Sequence, residues 1–364
     1  MTMHQDKSKS ASLLLRLMLG ACLLFACQTL FAIDAGMPNP PASPTIVKLG
    51  VFLADIIDLN ELDETFEVEI ILIAEWHDPR LAFDAEAEGM NRKLFQGEFQ
   101  FNEVFSGWWP QFLIVNEVGR GDTNAIHITI HPDGTVQYKE QRNVTLETPM
   151  DLEDFPFDVQ SLEAYIIPFG EFSDSVQLVV DERVLGATEE YAKTRQKVNI
   201  AQWTLTNLDL VADKLDHRYY GDKKEFSEIK MTITMQRKSA NMIWKVIIPL
   251  LVLVLLMWAI FWIDVDNLAD RLNTAFIGIL TIVAYQFLID GTMPRIDYFT
   301  FMDAVLLYSF IFMCLTIIES LVVYSLHKAN HVERALQVDF YVQWFFPIAY
   351  LAGFLVCYFY YYLT

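Results

Sequence analysis

The chain has 364 residues, 53% of them hydrophobic, with 47 acidic against 26 basic side chains and a formal net charge of -21. That length admits a water-exposed domain and a membrane domain together. The acidic balance repels phosphate and excludes nucleic acid as a partner, and it suits a surface that gathers cations.

Residues 1–32 read as a signal peptide. Lys7, Lys9 and Arg16 give a positive start, a short apolar run follows, and cleavage is expected after Ala32. A lipoprotein-type cut before Cys27 and an uncleaved anchor are the alternatives. Of the four cysteines, Cys22 and Cys27 fall in this leader, and Cys314 and Cys357 in C-terminal apolar segments. The region between them therefore has neither a disulfide framework nor a thiolate zinc site.

Residues 46–238 read as one extracytoplasmic domain of short strands. Residues 66–70 alternate apolar and polar side chains, as do 125–130, which run through Pro132, Asp133 and Gly134 into 135–138 as a hairpin. Residues 229–235 alternate again. Many short strands with no long helical pattern predict a β-sandwich.

From residue 239 to 364 the character changes. Four apolar segments, at about 243–263, 273–289, 301–326 and 340–363, are each able to cross a bilayer, with aromatic residues crowding their ends. An exported N-terminus makes the 327–334 loop, with Lys328 and Arg334, cytoplasmic. Arg237, Lys238 and Lys245 then lie outside, where a large translocated domain overrides their charge.

Within the second span Asn273, Ile277, Leu280, Ala284 and Phe287 recur at steps of four and three, one face of a helix. The opposite face is apolar too, so periodicity alone does not assign a pore. Asp270 and Asp290 flank the face, and rings of carboxylates favour cations, although both also suit ordinary interfacial capping. Leu280 and Phe287 are the candidate gates, because a ring of apolar side chains expels water and leaves an ion facing a desolvation barrier. Packing between helices is the plainer role for each.

Three motifs narrow the reading. Phe155, Pro156, Phe157 and Asp158 lie within 148–162, in a stretch that resembles the signature loop of the Cys-loop receptors, with Thr148 and Leu162 where animal receptors carry cysteines. Trp76-His77-Asp78-Pro79-Arg80-Leu81 resembles the family's Trp-x-Asp-x-Arg-Leu strand. Trp108-Trp109-Pro110-Gln111, with Asn116 following, resembles its Trp-x-Pro-Asp segment, with Gln for the usual Asp. The order of these motifs ahead of four spans identifies the chain as a member of the pentameric ligand-gated ion channels. The second span and Pro294-Arg295 are similar to the amine-gated bacterial branch.

The resemblance implies a β-sandwich extracellular domain on a four-helix transmembrane bundle, as a homopentamer around a central pore. It implies that Arg271 turns away from the axis. It places an agonist between subunits, with Phe112, Phe172, Tyr219 and Tyr220 on one face and Trp76 and Tyr138 on the other; Glu171, beside Phe172, is able to pair with a cation. Aromatics favour amines by cation–π attraction, though Phe172 replaces a frequent Trp, and each aromatic equally suits the sandwich core. Coupling is expected where the domains meet, at Phe157, Asp158, Arg237, Glu61, Asp63, Pro294 and Arg295. The partners implied are four identical subunits, a small-molecule agonist or protons, permeant monovalent cations and the bilayer of a bacterial inner membrane, with the first domain periplasmic. No cofactor or metal is expected.

Two other classes compete. A membrane-tethered sandwich that binds without forming a pore shares the strands but needs no five-fold assembly. An integral membrane enzyme needs a phosphate loop, a metal-spaced cluster or a nucleophile elbow, and none is found. His327 and His331 stand four apart but supply only two ligands.

Overall fold

The computed structural model describes residues 37–194, 200–216, 225–291 and 298–363. The expected leader, Tyr219, Tyr220, Pro294 and Arg295 lie outside these residues.

Alternation builds the first domain. In β2 (Thr65–His77) Phe66, Val68, Ile70, Leu72, Ala74 and Trp76 are all buried, while the residues between them face outward. A strand exposes successive side chains to opposite faces, so this spacing fixes its register against the core. β2 lies between β1 (Thr45–Asn60) and β6 (Thr135–Glu147), both antiparallel to it. With β3 (Lys93–Gln96), β5 (Asp122–Ile130) and β8 (Val176–Val180) they form a six-stranded sheet in the order β3-β5-β6-β2-β1-β8. The second sheet runs β4-β7-β10-β9, from β4 (Phe112–Ile114), β7 (Val159–Pro168), β10 (Glu225–Arg237) and β9 (Trp203–Asp216). One continuous apolar core fills the space between the sheets.

The expected β5–β6 hairpin is present, and its turn is tied to the Trp-x-Asp segment. Gly134 has φ +85, and a Cβ there would lie 2.6 Å from the Asp78 carbonyl oxygen, so only glycine fits. Asp78 is fully buried and accepts two bonds from the Arg80 guanidinium, at 2.8 and 2.7 Å. Asn116 donates to the carbonyls of Glu147 and Glu163, both at 2.7 Å, and so clips one sheet to the other.

The sandwich also carries a helix that the sequence pattern concealed, α1 (Glu182–Thr194). Its apolar stripe is thin, and Gly186 interrupts it. It settles on β1 because Gly50 leaves room for Val184; a Cβ at Gly50 would lie 2.4 Å from the Val184 Cβ.

Four helices follow: α2 (Ala240–Trp262), α3 (Leu268–Asp290), α4 (Phe301–Lys328) and α5 (Val332–Leu363). Each has the length and apolarity to span a bilayer. α2 widens into a π turn over Ile243–Ile247 just before Pro249, whose missing N–H and ring prevent a regular α turn there. α4 begins with a capping box, Thr300 and Asp303 each bonding the other's backbone N–H. α4 and α5 run longer than the hydropathy suggested. The expected 327–334 loop shrinks to residues 329–331, closed by Asn330 at φ 62, and Lys328 and Arg334 lie on the helices.

Candidate functional site

β10 ends at Arg237, on the floor of the sandwich. Its Nε donates to Asp158 Oδ1 at 2.7 Å, Nη2 to Asp158 Oδ2 at 3.2 Å, and Nη1 to Glu61 Oε1 at 2.8 Å. The guanidinium carbon lies 4.1 Å from the ring centre of Trp203 and 4.8 Å from that of Phe155. The Arg237 and Asp158 side chains are 3% and 2% exposed. A guanidinium this dry needs its carboxylates, and the two aromatic faces add cation–π attraction. Gln160 donates to the same Asp158 carboxylate at 2.7 Å and accepts the Asp151 N–H at 3.0 Å. Asp63, expected in this group, instead accepts from the Asn60 side chain at 2.9 Å and stays exposed. Its carboxylate holds the tight β1–β2 turn, and it is Glu61 that points to Arg237.

The 148–162 loop rests on the membrane helices. Leu152 and Phe155 are buried in the apolar cluster of the helical bundle. The Phe157 ring meets Phe301 and Tyr358 edge-on, each at 5.7 Å between centres. Pro156 follows Phe155 through a cis peptide bond. The Tyr298 hydroxyl accepts the Leu152 N–H at 2.9 Å, and the Phe301 N–H donates to the Glu153 carbonyl at 3.0 Å. Burial, then the charges of Glu153, Asp151 and Asp158, pushes the Asp154 carboxyl above its usual value. Gln160, Trp203, Tyr298, Phe301 and Tyr358 were not foreseen, because no spacing in the sequence brings them to this loop.

α3 has two unlike sides. Arg271, Ala275, Gly278, Ile282 and Ile289 are buried within the subunit. Ile277, Leu280 and Phe287 are 60%, 70% and 73% exposed, and Asp270, Asn273, Ala284 and Asp290 are exposed with them. Phe276 and Leu288 widen the uncovered surface. The predicted stripe therefore stands clear of the subunit's own bundle.

The expected aromatic box is divided differently. Trp76 and Tyr138, expected on an opposing surface, are 2% and 1% exposed inside the sandwich. Trp76 packs edge-on against Trp108 at 5.7 Å; Tyr138 stacks on Trp109 at 5.8 Å and donates its hydroxyl to Glu140 at 2.7 Å. Burial and the Glu140 charge push the Tyr138 phenol up. The alternation of β2 and β6 turns both residues inward, so neither presents a surface. Phe112 is buried beside Tyr138, 5.8 Å between ring centres. Phe172 is half-buried and packs on Phe226 at 4.9 Å. Glu171 lines an open concavity of about 470 Å³ with Glu103, Phe105, Trp109, Gln111 and Phe169. On β10, Glu228 is 5% exposed, and its Oε2 has no hydrogen-bond partner among the described residues. Burial, reinforced by Asp213, raises its carboxyl above the usual value, with Lys230 opposing. Among the described residues no cluster of three or more His, Cys, Asp or Glu is arranged to hold a metal.

Residues 36–239 match the model of the neurotransmitter-gated ion-channel ligand binding domain. The chain is 25% identical over 333 residues to a proton-gated ion channel of Gloeobacter violaceus, covering 90% of this chain and 87% of that one. It is 25% identical over 306 residues to a bovine gamma-aminobutyric acid receptor subunit rho-2 and 22% identical over 305 residues to a rat glycine receptor subunit beta. Those matches cover 82% and 81% of this chain but only 62% and 58% of the receptor subunits. The sandwich, the four membrane helices and the matched domain together define a ligand-gated ion channel rather than an enzyme. The chain belongs to the pentameric neurotransmitter-gated ion channel family and is a multi-pass membrane protein.

Proposed function

We propose that five identical copies of this chain form a cation-selective channel in a bacterial inner membrane, with residues 46–238 as the periplasmic domain and 239–364 as the channel domain. The observation that carries this reading is the uncovered stripe of α3. Leu280 and Phe287 lie on it as apolar rings, and Asp270 and Asp290 mark its ends. Five-fold assembly repeats each carboxylate at one depth, which concentrates cations at both mouths. The test is the reversal potential of purified channels in bilayers under a salt gradient. A potential near that of the cation is expected, and one near the chloride equilibrium potential overturns the selectivity.

Opening is assigned to a small molecule held between subunits near Glu171, Phe172 and Phe112, with Tyr219 and Tyr220, outside the described residues, as further candidates, or to a change of pH. The raised carboxyls of Asp154 and Glu228 favour the pH arm, and one relative is named for proton gating. Coupling runs through Phe155, Pro156, Phe157, Asp158, Arg237 and Glu61, with Pro294 and Arg295, outside the described residues, as further candidates. Currents recorded from about pH 5 to 9, where histidines and raised carboxyls titrate, and across a panel of amines, separate the two arms. A flat pH profile removes the second.

A further inference from the structure

Asp270 and Arg271 are neighbours of opposite charge at the start of α3, yet they face different surroundings. Asp270 is exposed, whereas Arg271 is 1% exposed. Its Nε and Nη2 both donate to the carbonyl of Ile263, just past the end of α2, at 2.9 and 2.6 Å. Its Nη1 donates to Asp339 of α5 at 2.8 Å and lies 3.8 Å from the Glu319 carboxylate of α4. One guanidinium on α3 thus meets groups from the three other membrane helices. The Asp339 and Glu319 side chains are 14% and 6% exposed, and Glu319 Oε1 has no hydrogen-bond partner among the described residues.

Were Arg271 to reach the water at the mouth, its charge would offset Asp270 one residue away. A buried guanidinium stays buried only where acceptors satisfy its donors and carboxylates offset its charge. Asp339 accepts one of those donors and offsets the charge, Glu319 at 3.8 Å adds its charge without a hydrogen bond, and neither lies on the helix that carries the guanidinium. We infer that Asp339, with Glu319 behind it, sets ion selectivity from outside the pore. Through Arg271 it keeps a positive ring out of the mouth, so that Asp270 alone determines the field there. The inference rests on reading the exposed stripe of α3 as the pore lining.

Reversal potentials are compared for the parent, Asp339→Asn, the pair Asp339→Asn/Glu319→Gln, and the triple that adds Arg271→Gln. The cation-to-chloride permeability ratio should fall in Asp339→Asn, and fall further in the pair, by about five- to tenfold, the effect of one charge per subunit at a water-filled mouth. The triple should return to the parent ratio, because the charge that the acids restrain is gone. A pair that conducts with the parent ratio overturns the inference. So does a triple that keeps the pair's shift. If the pair fails to assemble, the triple is expected to assemble and conduct with the parent ratio, and its failure to do so shows that the acids hold the fold without acting on Arg271. A parent that follows chloride defeats the proposed selectivity instead, and the differences between variants still decide the role of Asp339.

Discussion

Two buried guanidiniums, Arg237 and Arg271, sit at opposite ends of the membrane domain and answer the same problem differently. Each has two carboxylates within reach. Arg237 lies between the faces of Trp203 and Phe155 and joins the last strand of the sandwich to the 148–162 loop and the β1–β2 turn. Arg271 has no aromatic partner of that kind among the described contacts and holds the carbonyl of Ile263 instead. The first arrangement ties together the parts of the sandwich that rest on the membrane helices. The second is confined to one bundle. Loss of the outer pair should therefore cost stability and coupling together, whereas loss of the inner acids should alter the field and spare the coupling.

The most severe test of that contrast is Arg237→Met. It strands Asp158, at 2% exposure, without its cation, and breaking a buried pair from one side costs about 3–5 kcal/mol. The variant should lose pentamer in detergent, or retain it and lose evoked current. Arg237→Lys should recover only part of this, because one ammonium cannot reproduce a fork that serves two carboxylates. Normal thermal stability and normal gating in Arg237→Met would erase the distinction between the two sites.

Next in size is Leu280→Ser, midway along the uncovered stripe of α3. A hydroxyl ring wets a constriction that an apolar ring dries, so the closed state loses stability, and about 1.4 kcal/mol is already tenfold in the equilibrium. The concentration or pH that half-opens the channel should shift about tenfold toward opening, or a resting current should appear. Unchanged midpoint and leak in conducting channels would remove Leu280 as the gate. Tyr298→Phe is milder. It deletes the hydroxyl that accepts the Leu152 N–H at 2.9 Å, and one such bond contributes about 1 kcal/mol. Weaker coupling is expected with pentamer stability nearly intact, read from evoked current alongside thermal unfolding.

The smallest effect concerns pH and stability. The Glu228 carboxyl is raised in the folded sandwich, chiefly by burial, so the folded chain holds its proton at pH values where the unfolded chain has released it. Stability attached to this group is thus present at low pH and is lost as pH rises through the folded-state value. Glu228→Gln should raise the unfolding temperature at neutral and alkaline pH, change it little in acid, and flatten the profile between. A uniform shift at every pH would mean that packing, not ionisation, explains the effect.

The parts of the molecule legible in the sequence were those written in short-range patterns. The two-residue period of β2, β6 and β10, the turn at Gly134, the four apolar spans and the face of α3 from Asn273 to Phe287 follow from local periodicity. The Asp158–Arg237 pair was accessible because a motif and a domain boundary pointed to its members. What periodicity does not carry is which inward side a residue serves. Trp76 and Tyr138 lie on strands whose alternation turns them into the core, although their residue types suit a binding surface equally. Trp203, Tyr298 and Tyr358 belong to the junction only through contacts across long sequence separations. α1 escaped because a thin apolar stripe broken by Gly186 is a weak helical signal, and the space above Gly50 is visible only once the sheet exists.

The contact of Phe157 with both Phe301 and Tyr358 also bears on biosynthesis. The chain emerges N-terminus first, so the sandwich strands are available long before α5. Its 148–162 loop nevertheless presents Phe157 to a surface whose last component, Tyr358, is made roughly two hundred residues later. Until α5 is inserted, that ring has only part of its shelter. The loop is thus the place where a subunit with α5 docked differs visibly from one without it, and quality-control proteases that recognise exposed aromatic side chains would find there a direct report of whether α5 is in place.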